Sequence, residues 1–417
     1  MDGTEGSASQ LPRVSRGRYG VIIGSSLIIM LCAGSVYAWS IFVAPLKEVY
    51  QLTTSETQLV YGLSLAILGV GLVVMHRVFR KLGPRYTAAI GAFFFSAGYL
   101  VASFSNGNFL PILLGISVLG GIGMSMGYIT VLTNLVMWLP RNRGLATGIA
   151  VAGFGGGSVL MTLISMPLID RGVDVLLIFR IVGIIYGILF LCGALALRAP
   201  SDAYKSTTNP ENQVSYRELF RDKRFWVLSY TAFAAAFGGL MFYGNARPLG
   251  ISYGVSEGAA VLAVILMSAG NALGRLSWGQ IHDVIGGRAA IILSLILVTV
   301  VIPLVLLVVN NDIAFVIMVL IFGFCFGADQ VLYASSVATE WGIHRMGIVY
   351  PLVFLSYGVA ALIAPTLGGE IFDLTGSYTW AMIISSVVCL TGLPVYALMM
   401  PYQKREAHHL PKSEFGD

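Results

Sequence analysis

Twelve apolar stretches, each about long enough to cross a bilayer, leave this chain of 417 residues very few backbone solutions. A hydrocarbon core of about 30 Å takes roughly 20 apolar helical residues to cross. The stretches run over 19–44, 56–79, 86–104, 109–138, 143–169, 174–198, 224–245, 256–281, 287–309, 312–339, 346–371 and 377–400, here numbered spans 1 to 12. They lack the alternating pattern of barrel strands. Backbone groups in lipid must find partners within the segment, so each span is read as an α-helix. Composition agrees. Hydrophobic residues make up 57% of the chain and charged residues 11%, whereas soluble domains carry about 25% charged. That little charge cannot coat a globular surface of this length.

The few charges are unevenly placed. The two tails and the even-to-odd loops hold 20 of the 25 Lys and Arg, against Lys47, Arg171, Arg180 and Arg247 at the other edge and Arg275 inside a span. That bias predicts both termini in the cytoplasm, in a plasma or inner membrane. The polar, basic residues 1–18 read as a disordered tail, with no cleavable signal peptide. The net charge of +5 reflects topology rather than a nucleic-acid partner. Cys32, Cys192, Cys325 and Cys389 all fall in apolar runs without ligand spacing, which predicts buried thiols and no metal or cofactor. The five histidines lie at span edges or in the C-terminal tail.

The chain repeats itself. Pro45 and Pro248 are separated by the same offset as Gly71 and Gly274, Gly83 and Gly286, Arg85 and Arg288, Trp138 and Trp341, Gly144 and Gly347, and Gly155 and Gly358. One offset serving six-span units predicts two parallel bundles, 19–198 and 224–400, joined by a polar linker 199–223 and followed by a tail 401–417. Parallel repeats of this kind place substrate near the bilayer midplane, between the halves. Glycines at Gly144/Gly148 and Gly153/Gly157 predict close helix approach. The run Gly153–Ser158 lacks the lysine of a phosphate loop and lies mid-membrane, so nucleotide binding is not expected.

Polar residues inside the spans carry the chemistry. Arg275 lies eight residues before Asp283, about 12 Å in from the membrane edge at 1.5 Å per residue. A guanidinium at that depth costs at least about 2.5–3.5 kcal/mol, so it is expected to face a water-filled cavity. Its planar fork matches a carboxylate; the alternative is a structural arginine bonded to helix carbonyls. Asn271, one turn earlier on the same face, is either a second substrate contact or interhelical glue. Asp329 lies twelve residues before Trp341, about 18 Å deep. It is expected to pair with Arg275, to carry a proton, or to hydrogen-bond as the neutral acid. Tyr37, Tyr128, Tyr333 and Tyr357 are candidates for the cavity wall, where an aromatic body with one hydroxyl suits a small organic acid.

These residues resemble a known group. Span 1 carries Gly34, Tyr37, Trp39, Pro45 and Lys47. The turn after span 4 reads Trp138-Leu139-Pro140-Arg141-Asn142-Arg143-Gly144-Leu145-Ala146-Thr147-Gly148. Span 7 opens Phe225-Trp226-Val227-Leu228. Over residues 20–400 the chain is similar to the major facilitator superfamily, in the branch of oxalate/formate antiporters and monocarboxylate transporters. The resemblance implies an all-α fold of twelve spans in two pseudo-symmetric six-helix bundles. It also implies an arginine at Arg275, a tyrosine at Tyr128, and a gate at the terminus-bearing face built from Asp283, Arg288 and Arg85. The loop signature is kept as Gly279, Asp283, Gly286 and Arg288 in the second half. In the first, His76 and Arg80 replace the glycine and aspartate, while Gly83 and Arg85 remain. Oxalate/formate antiporters have a lysine where this chain has Tyr357. One cation rather than two favours a monoanion such as lactate, pyruvate or formate.

The expected function is therefore a secondary carrier of monocarboxylates, coupled to protons, working as a monomer by alternating access. Oxalate:formate-type exchange is the alternative within the class. A membrane-embedded sensor would need a signalling domain that the short tails lack, and an intramembrane enzyme would need an acid-base or metal cluster that is not evident. The charge bias makes a topological prediction. Tags on either tail should resist protease or labelling reagent applied outside intact cells, and labelling of either tail from outside would overturn the assignment.

Overall fold

The computed structural model describes residues 16–139, 143–200 and 215–400. Most of the N-terminal tail, most of the linker, the C-terminal tail and Pro140-Arg141-Asn142 of the family-like turn lie outside the described residues. Among the described residues, eleven helices are long and apolar enough to cross a membrane. They account for twelve crossings because Thr54–Ser103, a run of 50 residues, is two spans joined at Gly83. Gly83 has φ 76° and ψ 174°, a conformation that breaks the helix and that glycine adopts without steric penalty. Its repeat partner Gly286 has φ 87° and separates span 8 (Glu257–Ile285) from span 9 (Gly287–Val308). The same residue type thus turns the chain at the same point of both halves.

Span 1 is α-helical over Arg16–Ala33 and 3₁₀ over Gly34–Ile41, and continues as a short helix, Val43–Tyr50. Span 4 is Phe109–Trp138, with a π-helical stretch over Leu113–Gly120. Span 5 is Arg143–Ile169, span 6 Val175–Ala196 and span 7 Lys223–Ser252. Span 10 is two helices, Asp312–Phe326 and Ala328–Trp341, meeting at Gly327. Spans 11 and 12 are Ile343–Thr375 and Thr379–Met399. Polar caps set several helix starts. Thr53 and Glu56 form a reciprocal capping box at span 2, and Asp174, Asp222, Ser256 and Asn311 accept from backbone N–H groups at spans 6, 7, 8 and 10. Burial works against the Asp222 carboxylate, but its hydrogen bonds from Arg224 outweigh this and hold its pKa below the ordinary value.

Small residues let the spans approach as the repeat requires. A Cβ on Gly71 would overlap Ser125, joining spans 2 and 4, and one on Gly274 would overlap the Phe324 carbonyl, joining spans 8 and 10. Across the halves, Gly155 of span 5 faces Asn271 and Arg275, while Gly358 of span 11 faces Ala66 of span 2. Gly153 and Gly157 lie against Met30 and Gly34 of span 1, the close approach their spacing predicts. Gly148 is only in ordinary contact with Leu276. Cys32, Cys325 and Cys389 are buried, but Cys192 is exposed; it lies in an apolar helix that turns part of its surface outward. Large apolar side chains such as Phe93, Leu163 and Ile188 are likewise exposed on the outer surface, as a lipid-facing shell requires.

At the end away from the termini the halves are tied together. Asp373 accepts from the backbone N–H groups of Thr54 and Ser55 at 3.1 and 2.8 Å, and Lys47 stands 3.8 Å from it. Gln58 donates to the Gly244 carbonyl at 2.8 Å, and Arg247 to that of Ile41 at 3.2 Å. Arg247 is thus not a solvated loop charge: it is 4% exposed and paired with Glu257.

The tightest interhelical approach is at Gly34, where an added Cβ would overlap the Phe154 carbonyl, a backbone atom that cannot rotate away. Gly34→Ala should therefore destabilise the folded protein by about 1–3 kcal/mol or more. Gly20→Ala, with nothing within 4 Å, should not. Thermal unfolding in detergent compares them, and an undisturbed Gly34→Ala would refute the packing.

Candidate functional site

The site forms where the Gly34–Ile41 turn, span 5, span 8, the second helix of span 10 and span 11 converge. Gly327 makes the convergence possible: a Cβ there would stand 2.5 Å from the Asn271 carbonyl oxygen and 2.9 Å from the Arg275 nitrogen. Span 10 can therefore bend against span 8 at the level of the arginine, bringing Asp329 into its next turn.

Arg275 is 2% exposed. Its fork is turned across the interface to the other half. Nη1 donates to the Val151 carbonyl of span 5 at 2.7 Å, and Nη2 to the Tyr37 hydroxyl at 3.3 Å. The guanidinium carbon lies 5.7 Å from the ring centres of both Tyr37 and Phe154, within cation–π range. Among the described residues Nε has no hydrogen-bond partner. Neither do the two amide atoms of the fully buried Asn271 on the same helix face. Gly155 leaves the space above them, since a Cβ there would come within 2.7 Å of Asn271 Oδ1 and 3.1 Å of Arg275 Nε. Buried polar groups are seldom left unmatched, so this cluster fits a bound polar ligand or water.

Tyr37 is the hub. Its hydroxyl receives Arg275 Nη2 and, at 3.3 Å, Gln330 Nε2, and pairs with the Tyr357 hydroxyl at 2.8 Å. Its ring packs against Phe154 at 5.4 Å and Tyr243 at 4.7 Å. Tyr128 meets the other edge of Phe154 at 5.2 Å. Tyr357 stacks on Phe354 at 4.7 Å. Tyr37, Tyr128 and Tyr357 thus form one aromatic cluster with Phe154 and Tyr243 around the arginine.

Asp329 and Tyr333 sit on a neighbouring cavity of about 10 Å³, lined also by Gln330, Tyr350, Phe354 and Tyr357. Asp329 is 5% exposed. Among the described residues it forms no ion pair with Arg275. Of the three readings open for Asp329 in the sequence, direct pairing with Arg275 is not made in this conformation, where Nη1 and Nη2 are bonded to Val151 and Tyr37.

The three residues assigned to a gate lie at the opposite end from the Asp373 ties. Asp283 is exposed and stands 3.2 Å from His282 Nδ1. Arg288 donates to the Met400 carbonyl at 3.0 Å and to that of Ala397, binding the end of span 12 within its own half. Arg85 is exposed, two residues after the Gly83 break. In this conformation Arg288 serves as a helix C-cap.

Sequence reasoning missed Gln330, Phe154, Tyr243 and Ser268, whose hydroxyl meets those of Tyr243 and Ser158. Gln330 carried a usable signal, as a polar residue deep in an apolar run beside Asp329. The aromatics carried none, since nothing in the local sequence separates a site-facing ring from a core ring.

A twelve-span, two-bundle helical fold closed around a buried cation defines a membrane carrier, and comparison with known proteins agrees. The Major Facilitator Superfamily model matches residues 25–355 and 248–415, and the chain belongs to that family, whose members are transporters and not enzymes. It is similar to the oxalate:formate antiporter of Oxalobacter formigenes, at 26% identity over 95% of this chain and 94% of that one. It is also similar to monocarboxylate transporter 2 of Rattus norvegicus, at 24% over 92% and 87%, and to human monocarboxylate transporter 11, at 25% over 84% and 76%. The protein is a multi-pass integral membrane transporter of this family.

Replacing the planar fork of Arg275 with a lysine ammonium keeps the charge but not two divergent donors. Arg275→Lys should cut transport at least about tenfold, the value of one charge-assisted hydrogen bond, while the protein still inserts and folds. Unchanged rate and affinity would make Arg275 structural.

Proposed function

We propose that this protein is a proton-coupled carrier of small monocarboxylates of the lactate, pyruvate or formate type, bound at Arg275. The observation that carries the reading is the charge count at the centre. Three charged side chains are buried among the described residues: Arg247, Arg275 and Asp329. Arg247 is neutralised by Glu257 at the far end. That leaves one cation and one carboxyl at the midplane. A monoanion that arrives with one proton keeps this centre neutral, whereas a dianion leaves an unmatched charge in a low-dielectric site, which is costly.

Arg275 binds the carboxylate, and Asn271 and the Tyr37, Tyr128 and Tyr357 walls orient the remainder. Substrate competes for the arginine, Asp329 loses its counter-charge, and a proton from bulk water replaces it. The neutral loaded centre can then move between the two faces. The cavity of about 10 Å³ holds about one water and no carboxylic acid. Loading therefore requires the halves to part, by rocking about the central site. With both termini cytoplasmic, the tied end at Asp373 faces outward, and Asp283, Arg85 and Arg288 stand at the inner gate. One chain carries a complete site, so the monomer is the functional unit.

Oxalate exchange is the second reading, favoured by the similarity to the Oxalobacter formigenes antiporter. Competition separates the two. Unlabelled oxalate should compete poorly with labelled lactate in the wild type, and Tyr357→Lys should shift preference towards oxalate. Potent oxalate competition in the wild type would replace the monoanion reading with the exchanger.

A further inference from the structure

Arg275 and Asp329 do not touch, yet the hydroxyls between them are ordered in one direction. An arginine only donates, so the Tyr37 oxygen accepts from Arg275. It also accepts from the Gln330 amide at 3.3 Å. Its own proton is then directed to the Tyr357 oxygen, 2.8 Å away. That leaves the Tyr357 proton free to donate, and Tyr357 lines the cavity that Asp329 lines. Three polar atoms of this wall lack a hydrogen-bond partner among the described residues: Asp329 Oδ2, Gln330 Oε1 and the Tyr333 hydroxyl. A cavity of about 10 Å³ with several such groups suits one bound water.

We propose that the Tyr37–Tyr357 hydroxyl pair, completed by one water in this cavity, is a relay that couples substrate binding at Arg275 to proton binding at Asp329. The inference rests on the reading of Asp329 as the coupling group. Without substrate, every link donates away from Arg275: guanidinium to Tyr37, Tyr37 to Tyr357, Tyr357 to water, water to the Asp329 carboxylate. The anionic form is thereby stabilised. A substrate carboxylate beside Arg275 is a stronger acceptor than the Tyr357 oxygen, and the Tyr37 proton turns to it. Tyr357 then donates to Tyr37, the water turns one hydrogen to Tyr357 and the other to Gln330 Oε1 on the same cavity wall, and Asp329 loses its donor. It takes a proton from bulk water and, as the neutral acid, donates into the cavity. The chain has reversed with one proton gained and no covalent bond broken in either tyrosine.

The groups facing Asp329 are Arg275 on span 8, Tyr333 on its own helix, Tyr350 and Tyr357 on span 11 and Cys389 on span 12. Arg275 is the only cation among them, and Tyr357 is hydrogen-bonded to Tyr37, which accepts from Arg275.

The test is Tyr357→Phe, which removes one oxygen and keeps the ring stacked on Phe354. In proteoliposomes loaded with lactate, the variant should exchange labelled lactate at a reduced rate. Its accumulation under an inward proton gradient should fall to the level seen without one, a ratio of one. Asp329→Asn measured alongside reports the underlying reading. If Asp329→Asn still accumulates substrate, Asp329 is not the coupling group, and the relay falls with it. If Asp329→Asn fails to accumulate but Tyr357→Phe keeps the wild-type ratio, the relay alone is refuted. Should Tyr357→Phe not exchange at all, proton uptake on lactate binding in unbuffered detergent solution decides. The wild type should take up about one proton per lactate bound and Tyr357→Phe none; equal uptake by both would overturn the relay.

Discussion

A guanidinium held in the membrane interior by neutral groups is the constraint on which the rest of the centre depends. Arg275 belongs to the second half of the chain, but the oxygens that satisfy it belong to the first: the Val151 carbonyl and the Tyr37 hydroxyl. The arginine thus fastens the two bundles together at the point where substrate is proposed to bind. A carboxylate entering there competes with the contacts that hold the halves closed. On the proposed reading, binding and opening draw on the same donors, so that the loaded and unloaded centres would prefer different arrangements of the halves, a physical basis for alternating access.

The surrounding structure makes this arrangement possible through small residues. Gly34, Gly155 and Gly327 each remove a side chain where another helix must pass, and each lies against a site element: Phe154, Arg275 or Asn271. Arg275 Nε and both amide atoms of Asn271 lack a partner among the described residues, and Gly155 stands against them. Such clustering is costly to leave uncompensated, and it coincides with the space where the pseudo-two-fold repeat brings spans 5 and 8 together. The ties at Asp373, Gln58 and Arg247 close one end independently of the centre.

Much of the fold was legible because the bilayer leaves little choice. Length and apolarity marked all twelve crossings, and the repeat offset located Gly83 and Gly286 before their backbone conformations were known. The site was legible only at its charges. Arg275 and Asp329 stand out against apolar sequence, and Asn271 follows from Arg275 by helical spacing. What could not be read was direction. No local pattern says that the guanidinium turns to Val151 rather than to Asp329, because that depends on contacts between residues more than a hundred positions apart. The same holds for Gln330, whose partner Tyr37 lies at the other end of the chain. The burial of Arg247 was unreadable for a related reason, since its place at a span edge does not show that the neighbouring half covers it.

One buried arginine, balanced by one carboxyl, is proposed to select a single negative charge and to take a proton with it. Initial uptake of labelled lactate, formate and oxalate into proteoliposomes of the wild-type protein, with and without an inward proton gradient, tests it most directly. Lactate or formate should accumulate only when the gradient is imposed, and oxalate should be taken up poorly in both conditions. Oxalate uptake that matches theirs and ignores the gradient would contradict it.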